Sequence, residues 1–317
     1  MIKTIVVFGF KLAVTLGCLY LIWQNIDHRT ALMHLQALSP WVFGFCVLLF
    51  LSQLYPIALR WGYFSAHLGT PLKVATALRL VAMGHFLNQA FLGTIAGDAA
   101  RTGYLVQHGA SLGRAAGSII LDRYVALLMI WVAAVMAAPL LWRAGGEFEV
   151  ALALAAFLTV IGCVLATLPL AGWLVQIRHL SPDSRLGSFI RFVGETARVF
   201  LETIKQRQSW GVVYGSSIYV LVSSAIITWI LAIGMGMEIG AGTVFAITPV
   251  ALLFSAVPIS IGGWGVREMS FASLMMLSGG TSEAGLALSV LFGLASLVSG
   301  LICGLAWIVS KVDTAEA

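Results

Sequence analysis

The sequence predicts an all-α polytopic membrane protein, with six full transmembrane helices plus two re-entrant helical hairpins in an inverted-topology pseudo-repeat. Three observations carry this. Hydrophobic residues make up 60% of the 317 and charged ones only 10%, against roughly 25% charged in a soluble domain; mean hydropathy is +0.98. The apolar residues fall into runs of about 20, the length that crosses a bilayer as a helix. Finally, the basic residues are placed so that simple crossings alone cannot keep them on one side. The formal charge of +5 fits cytoplasmic loops and gives no reason to expect nucleic acid. Cys18, Cys46, Cys163 and Cys303 stand singly in apolar runs without any CxxC, so neither a disulfide, nor a metal site, nor another cofactor is expected.

Residues 4–24 form the first span. Lys3 precedes it and no A-x-A-like site follows, so it reads as an anchor rather than a cleaved signal. The second span opens at Ser39-Pro40, an N-cap followed by proline at the first helical position, and runs to Arg60. Thr70-Pro71 repeats that signal and opens a segment to about Leu92. Long apolar runs follow at 112–139 and 150–176, joined by "WRAGGEFEV". Residues 178–209 are the one long polar stretch, with six basic and three acidic residues, net +3. Its apolar positions recur at helical spacing. Two partners suit that stripe equally, the cytoplasmic leaflet or the protein's own helices. Residues 210–233 span again, then 243–257, "PISIGGWGVRE", 269–278 and a last span at 284–310.

Orientation propagates along this order. With 178–209 inside, the 150–176 span starts outside and the 112–139 span starts inside, near Arg114. From the other end, Lys3 inside puts Arg60 and Lys73 inside as well. Residues 73–110 therefore dip into the membrane and return. By the same reasoning 243–278 dip and return from the opposite face, and both termini are cytoplasmic. Span, span, hairpin, span then describes 1–147 and, inverted, 148–317, within one integral membrane domain. "TIAGDAAR" at 94–101 aligns with "SIGGWGVR" at 260–267 at a constant offset of 166. Inverted repeats with broken helices near the midplane are a transporter signature.

"FLGTIAGDAARTGYL", "SIILDRY" at 118–124 and "PISIGGWGVRE" at 258–268 resemble the three signature blocks of the lysylphosphatidylglycerol synthase transmembrane region family, flippase-like integral membrane proteins. The family usually has Pro-Gly-Thr/Ser-Val/Ile-Gly-Gly-Asp in the first block. Here Leu92 stands for the Pro and Ala96 for a Gly, which puts identical hairpin geometry in doubt. The resemblance covers nearly the whole chain and implies a stand-alone member, without the aminoacyl-transferase domain, in the bacterial cytoplasmic (inner) membrane. It implies lipid translocation rather than an enzyme. The expected partners are the bilayer and a membrane lipid with an anionic headgroup, phosphate-bearing or polyprenyl- or hopanoid-linked. A homo-oligomer is compatible with the sequence but not specified by it.

The charged tips carry the candidate site. Gly97 beside Gly93, and Gly263 with its neighbours, are expected to let the backbone turn sharply, which at depth is tolerated only inside protein or against a water-filled cavity. Each tip then starts a returning half-helix whose N-terminus favours an anion. Arg101 and Arg267 suit phosphate, and Asp98 and Glu268 could neutralise them when no ligand is bound. A structural ion pair holding each hairpin is the competing role. Asp122 and Arg123 point about 100° apart on one helix, so they bond different partners and could clamp the first hairpin. Asn88 is a candidate cap for the broken helix end. His85 is a candidate for proton coupling, against the commoner role of a packed, hydrogen-bonded histidine. A membrane-embedded lipid-modifying enzyme, or a non-catalytic partner of one, is the alternative. There is no HExxH, D-x-D or G-x-x-x-x-G-K-[ST] to support it.

Overall fold

The computed structural model describes residues 38–90, 94–143, 148–177, 185–257, 260 and 262–309, together with 16–18, 20, 24 and 33. The first expected span, 4–24, lies almost entirely outside the described residues. Every regular element described is helical. Five helical stretches are long and apolar enough to cross a membrane: Pro40–His67, Leu112–Leu141, Leu152–Trp173, Gly211–Gly234 and Ser282–Ile308. They coincide with the remaining five expected spans. Their outer surfaces are apolar: Trp41, Met136, Val160 and Leu305 are all exposed. Meanwhile Arg60, Arg101, Asp122 and Glu268 are buried. Water would reverse that distribution, and a lipid solvent accounts for it.

The first stretch is two helices, α1 (Pro40–Ser52) and α2 (Leu54–His67). The break has a local cause. Pro56 has no N–H to give and its ring crowds the carbonyl of Ser52. Gln53, at the break, sends its amide into the bundle, donating to Ser223 Oγ at 2.9 Å and Ser224 Oγ at 3.3 Å. Next come α3 (Val74–Ala90) and α4 (Thr94–Gln107), then the long α5 (Leu112–Arg143) and α6 (Phe148–Ile177).

Helices α3 and α4 form an antiparallel hairpin. Gly84 faces Gly97, and the Gly97 N–H donates to Asn88 Oδ1 at 2.8 Å. The hairpin ends where it began: one surface cavity is lined by Lys73 and Thr76 at its entry and by His108 and Arg114 beyond its exit. Gly97 itself sits inside α4, not in a turn. Its role is to let two backbones approach, because a Cβ there would meet the Gly84 carbonyl.

Helix α7 (Arg185–Lys205) is the amphipathic segment, and of its two candidate partners it has the protein. Ala197, Val199 and Phe200 are buried. They lie against Gly172 of α6, against Phe64 and Leu68 at the end of α2, and against Leu121 and Val125 in the first half of α5. Phe200 meets the ring of Tyr124 edge-on at 4.7 Å, while Arg198 and Glu202 pair outward at 2.9 Å.

A π-helical turn, Gly211–Gly215, leads into α8 (Ser216–Gly234). Helices α9 (Ala241–Ala256) and α10 (Val266–Leu277) form the second hairpin. Here the tip is a true turn: Gly262, Gly263 and Gly265 have φ of 61°, 79° and 85°, a region other residues rarely enter. Gly263 also passes close to the backbone of Ser255. The last helix, α11 (Ser282–Val309), takes both hairpins on its glycines and serines. Gly293 lies under the Arg267 guanidinium, Gly300 under Gln89 and Gly304 under Phe86.

Candidate functional site

Six helices converge on one cavity of about 210 Å³, part polar and part apolar, with Leu54, Ile57, Val81, Leu221 and Leu252 of α9 sharing its wall with the polar groups. Helix α2 supplies Arg60, α3 Gly84, His85 and Asn88, α4 Arg101, α5 Asp122 and Arg123, and α8 Ser217 and Ser224. Trp61 lies behind it, fully buried, with its indole N–H on Ser118 Oγ at 3.1 Å.

Charge alternates around the cavity. Arg60 Nε donates to Asp122 Oδ1 at 2.7 Å, and its Nη1 to Ser217 Oγ at 2.7 Å. The other Asp122 oxygen faces Arg101 Nη1 at 3.6 Å. Arg101 Nη2 donates to Asp98 Oδ1 at 2.6 Å, which also accepts from Arg123 Nη2 at 2.8 Å. Arg123 Nε reaches the second Asp98 oxygen at 3.1 Å. Asp122 and Arg123 thus bond different partners and both tie α5 to the first hairpin. The Arg101 guanidinium stacks on the Trp61 ring, 5.0 Å from its centroid.

One feature of this network is incomplete. Arg101 is only 4% exposed, yet its Nε and Nη1 have no hydrogen-bond partner among the described residues. Each such buried donor costs about 1–3 kcal/mol if nothing meets it. A ligand acceptor in the cavity would remove that cost.

The second tip is built differently. Arg267 Nη2 and Nε both donate to Glu268 Oε1, at 2.6 and 3.1 Å, and Nε also to Ser289 Oγ at 3.2 Å. Glu268 Oε2 accepts from the Gly265 N–H at 2.6 Å, closing the first turn of α10. The guanidinium stacks on Trp264, 4.6 Å from its centroid, and rests on Gly293. Each tip arginine is therefore paired with carboxylate and stacked on a tryptophan, but of the two only Arg101 keeps buried donors without a hydrogen-bond partner among the described residues.

Asp98, Arg101, Asp122, Arg123, His85 and Asn88 are brought together, the first tip's Gly97 beside them. Arg267, Glu268 and Gly263 form a separate cluster, and none of the partners of Arg267 described here lines the cavity. Both clusters make hydrogen bonds to α11. His85 Nε2 meets Ser299 Oγ at 2.9 Å and Gln89 donates to Ser296 at 2.9 Å, while Arg267 uses Ser289. Ser289 and Ser296 are seven residues apart, about 10 Å along the helix. The arginines aligned in the sequence also hold unlike places, the eighth residue of α4 and the second of α10. Asn88 caps the start of α4 rather than the broken end of its own helix α3, and His85 both lines the cavity and is hydrogen-bonded to Ser299.

Arg60 and Ser217 were not legible as site residues. Reading the second span to end at Arg60 places that side chain at the interface. The helix runs on to His67, so Arg60 lies about 10 Å further in. The signal was available: "RWGYFSAH" holds only the isolated Gly62, tolerated inside a helix, before Gly69-Thr70-Pro71.

Residues 8–304 match the protein family described as the lysylphosphatidylglycerol synthase TM region. A search of curated proteins finds no match.

Proposed function

The chain belongs to the lysylphosphatidylglycerol synthase TM region family, and from that premise we propose that it moves a phosphate-bearing lipid between membrane leaflets without altering it covalently. The single observation that carries this is the buried, half-satisfied Arg101 at the edge of a partly polar cavity within an apolar-surfaced bundle. An arginine hydrogen-bonded to Asp98, with Asp122 at ion-pair distance and two donors still lacking a hydrogen bond, is suited to a phosphate oxygen. The cavity lies among helices whose surfaces meet lipid, so a headgroup could enter it while the acyl chains stay in the bilayer. In this reading the two hairpins are re-entrant. They belong to two inverted halves that rock on α11, with both termini on the cytoplasmic side of a bacterial inner membrane.

Reconstitution tests it. Purified full-length protein in liposomes holding a headgroup-labelled phosphatidylglycerol should raise the dithionite-accessible fraction above that of empty vesicles. The Arg101→Gln protein should not. Recovery of a covalently changed lipid would favour the enzyme class. No movement, with well-folded protein and several anionic lipids tried, would sink the transport reading.

A further inference from the structure

The charge inventory of the cavity bears on which headgroup it accepts. Three guanidinium groups, Arg60, Arg101 and Arg123, share two carboxylates, Asp98 and Asp122, leaving a surplus of one positive charge (three minus two). Each carboxylate is already taken twice: Asp122 by Arg60 and Arg101, Asp98 by Arg101 and Arg123. Asp122 is the single acidic side chain among the described residues lining the cavity, and no lysine lines it. The rest of the polar lining is uncharged or weakly basic: Ser217, Ser224, Asn88 and His85.

An incoming phosphate finds surplus positive charge and the unmet Nε and Nη1 donors of Arg101. An incoming ammonium finds neither. It would have to displace an arginine from a carboxylate, at close range to two other guanidinium groups, in a setting where like charges repel far more strongly than in water. Resting on the transport reading above, we infer that the cavity selects phosphate headgroups that carry no ammonium, such as a phosphoglycerol, and rejects zwitterionic and aminoacylated ones. The lysylated phosphatidylglycerol that gives the family its name has two ammonium groups on one phosphate and falls on the rejected side. Serine hydroxyls and the Asn88 amide suit the hydroxyls of a polyol.

Arg123 is the most exposed of the three arginines that set this choice. Its side chain is 44% exposed and lies over Asp98. Removing it leaves one Asp98 oxygen without its partner and cancels the surplus positive charge, opening a place for an ammonium.

The test is a set of binding titrations on the full-length protein in detergent, read as the shift of the thermal unfolding midpoint. The probes are dioctanoyl phosphatidylglycerol, its lysylated derivative, dioctanoyl phosphatidylethanolamine and free glycerol 3-phosphate. Phosphatidylglycerol should bind at least about tenfold more tightly than either amine-bearing lipid, the ratio one charge-assisted hydrogen bond can carry. Arg123→Ala should narrow that gap and Arg101→Gln should weaken phosphatidylglycerol selectively. If Arg101→Gln does not fold, Arg101→Lys, which keeps the charge, should show a smaller loss. Comparable affinity for the lysylated lipid in the unsubstituted protein overturns the inference. Equal binding of glycerol 3-phosphate overturns the lipid as occupant in favour of a soluble anion. The liposome assay keeps the two readings distinguishable. Selective binding without lipid movement defeats transport alone, whereas equal movement of both lipids defeats the selectivity alone.

Discussion

Gly97→Ala and Gly84→Ala form a matched pair across one seam, and only the first should destabilise. The first hairpin is held by the close approach of α3 to α4. A Cβ on Gly97 would fall on the carbonyl of Gly84, 2.8 Å from its carbon, and 2.7 Å from Asn88 Oδ1. Two of these atoms are backbone and the third caps α4, so none can move away freely. A Cβ on Gly84 instead meets Gly97 Cα and O at 3.5 Å and Arg101 Nε at 3.7 Å, ordinary contacts. Overpacking costs about 1–3 kcal/mol, and losing the Asn88 bond to the Gly97 N–H roughly another 1 kcal/mol. Replacing glycine by alanine within a helix returns about 1 kcal/mol. Gly97→Ala is therefore expected to lose about 1–3 kcal/mol, a fall of several degrees in Tm, while Gly84→Ala stays level or rises. Tryptophan-fluorescence melts of both variants in one detergent measure the difference. Equal Tm values for the pair would falsify the claim that this seam is set by backbone contact at Gly97.

Asp122→Asn should destabilise by about 3–5 kcal/mol, because it leaves the buried Arg60 with Ser217 alone and Arg101 with Asp98 alone; adding Arg60→Met should recover part of the lost Tm. A single cysteine at Thr281, with the four native ones replaced, should react with an impermeant thiol reagent added outside cells, and one at Arg207 should not. Reversed labelling would overturn the orientation. Phe200→Ala removes a buried ring from the α7 seam, a loss of about 3–5 kcal/mol at most sites. It should make the 178–209 segment sensitive to protease at concentrations that spare the parent protein. Unchanged protection would mean α7 is held by the bilayer instead.

What the sequence could and could not disclose follows from the physics of each signal. Ionisable residues at membrane depth are rare and need partners, so Asp98, Arg101, Asp122, Arg123, Arg267 and Glu268 stand out on composition alone. Each is found in an ion pair. Arg60 escaped because a lone arginine near the expected end of a span looks like one that snorkels to the interface. Only the continuation of α2 to His67 distinguishes the two. The apolar stripe of α7 is ambiguous for a deeper reason, since lipid tails and protein cores select the same side chains. Glycine is ambiguous in the same way: a turn at positive φ and a close backbone approach both require the missing Cβ. Gly263 answers to the first of these and Gly97 to the second.

Pairing between distant helices is invisible to periodicity altogether. Arg60 meets Asp122 and Ser217 across 62 and 157 residues of sequence, and no spacing rule encodes either contact. The alignment of the two tips shows the consequence. It matches Arg101 with Arg267 by letter, but α4 begins seven residues before its arginine and α10 one. Arg101 consequently projects from the second turn of its helix towards α2 and α5, where Asp98 and Asp122 divide its charge and two donors remain. Arg267, at the first turn, is closed off by its own neighbour Glu268 and by Ser289. Similar sequences at the two tips thus yield one open arginine and one closed one, and the chemistry follows the helix register rather than the motif.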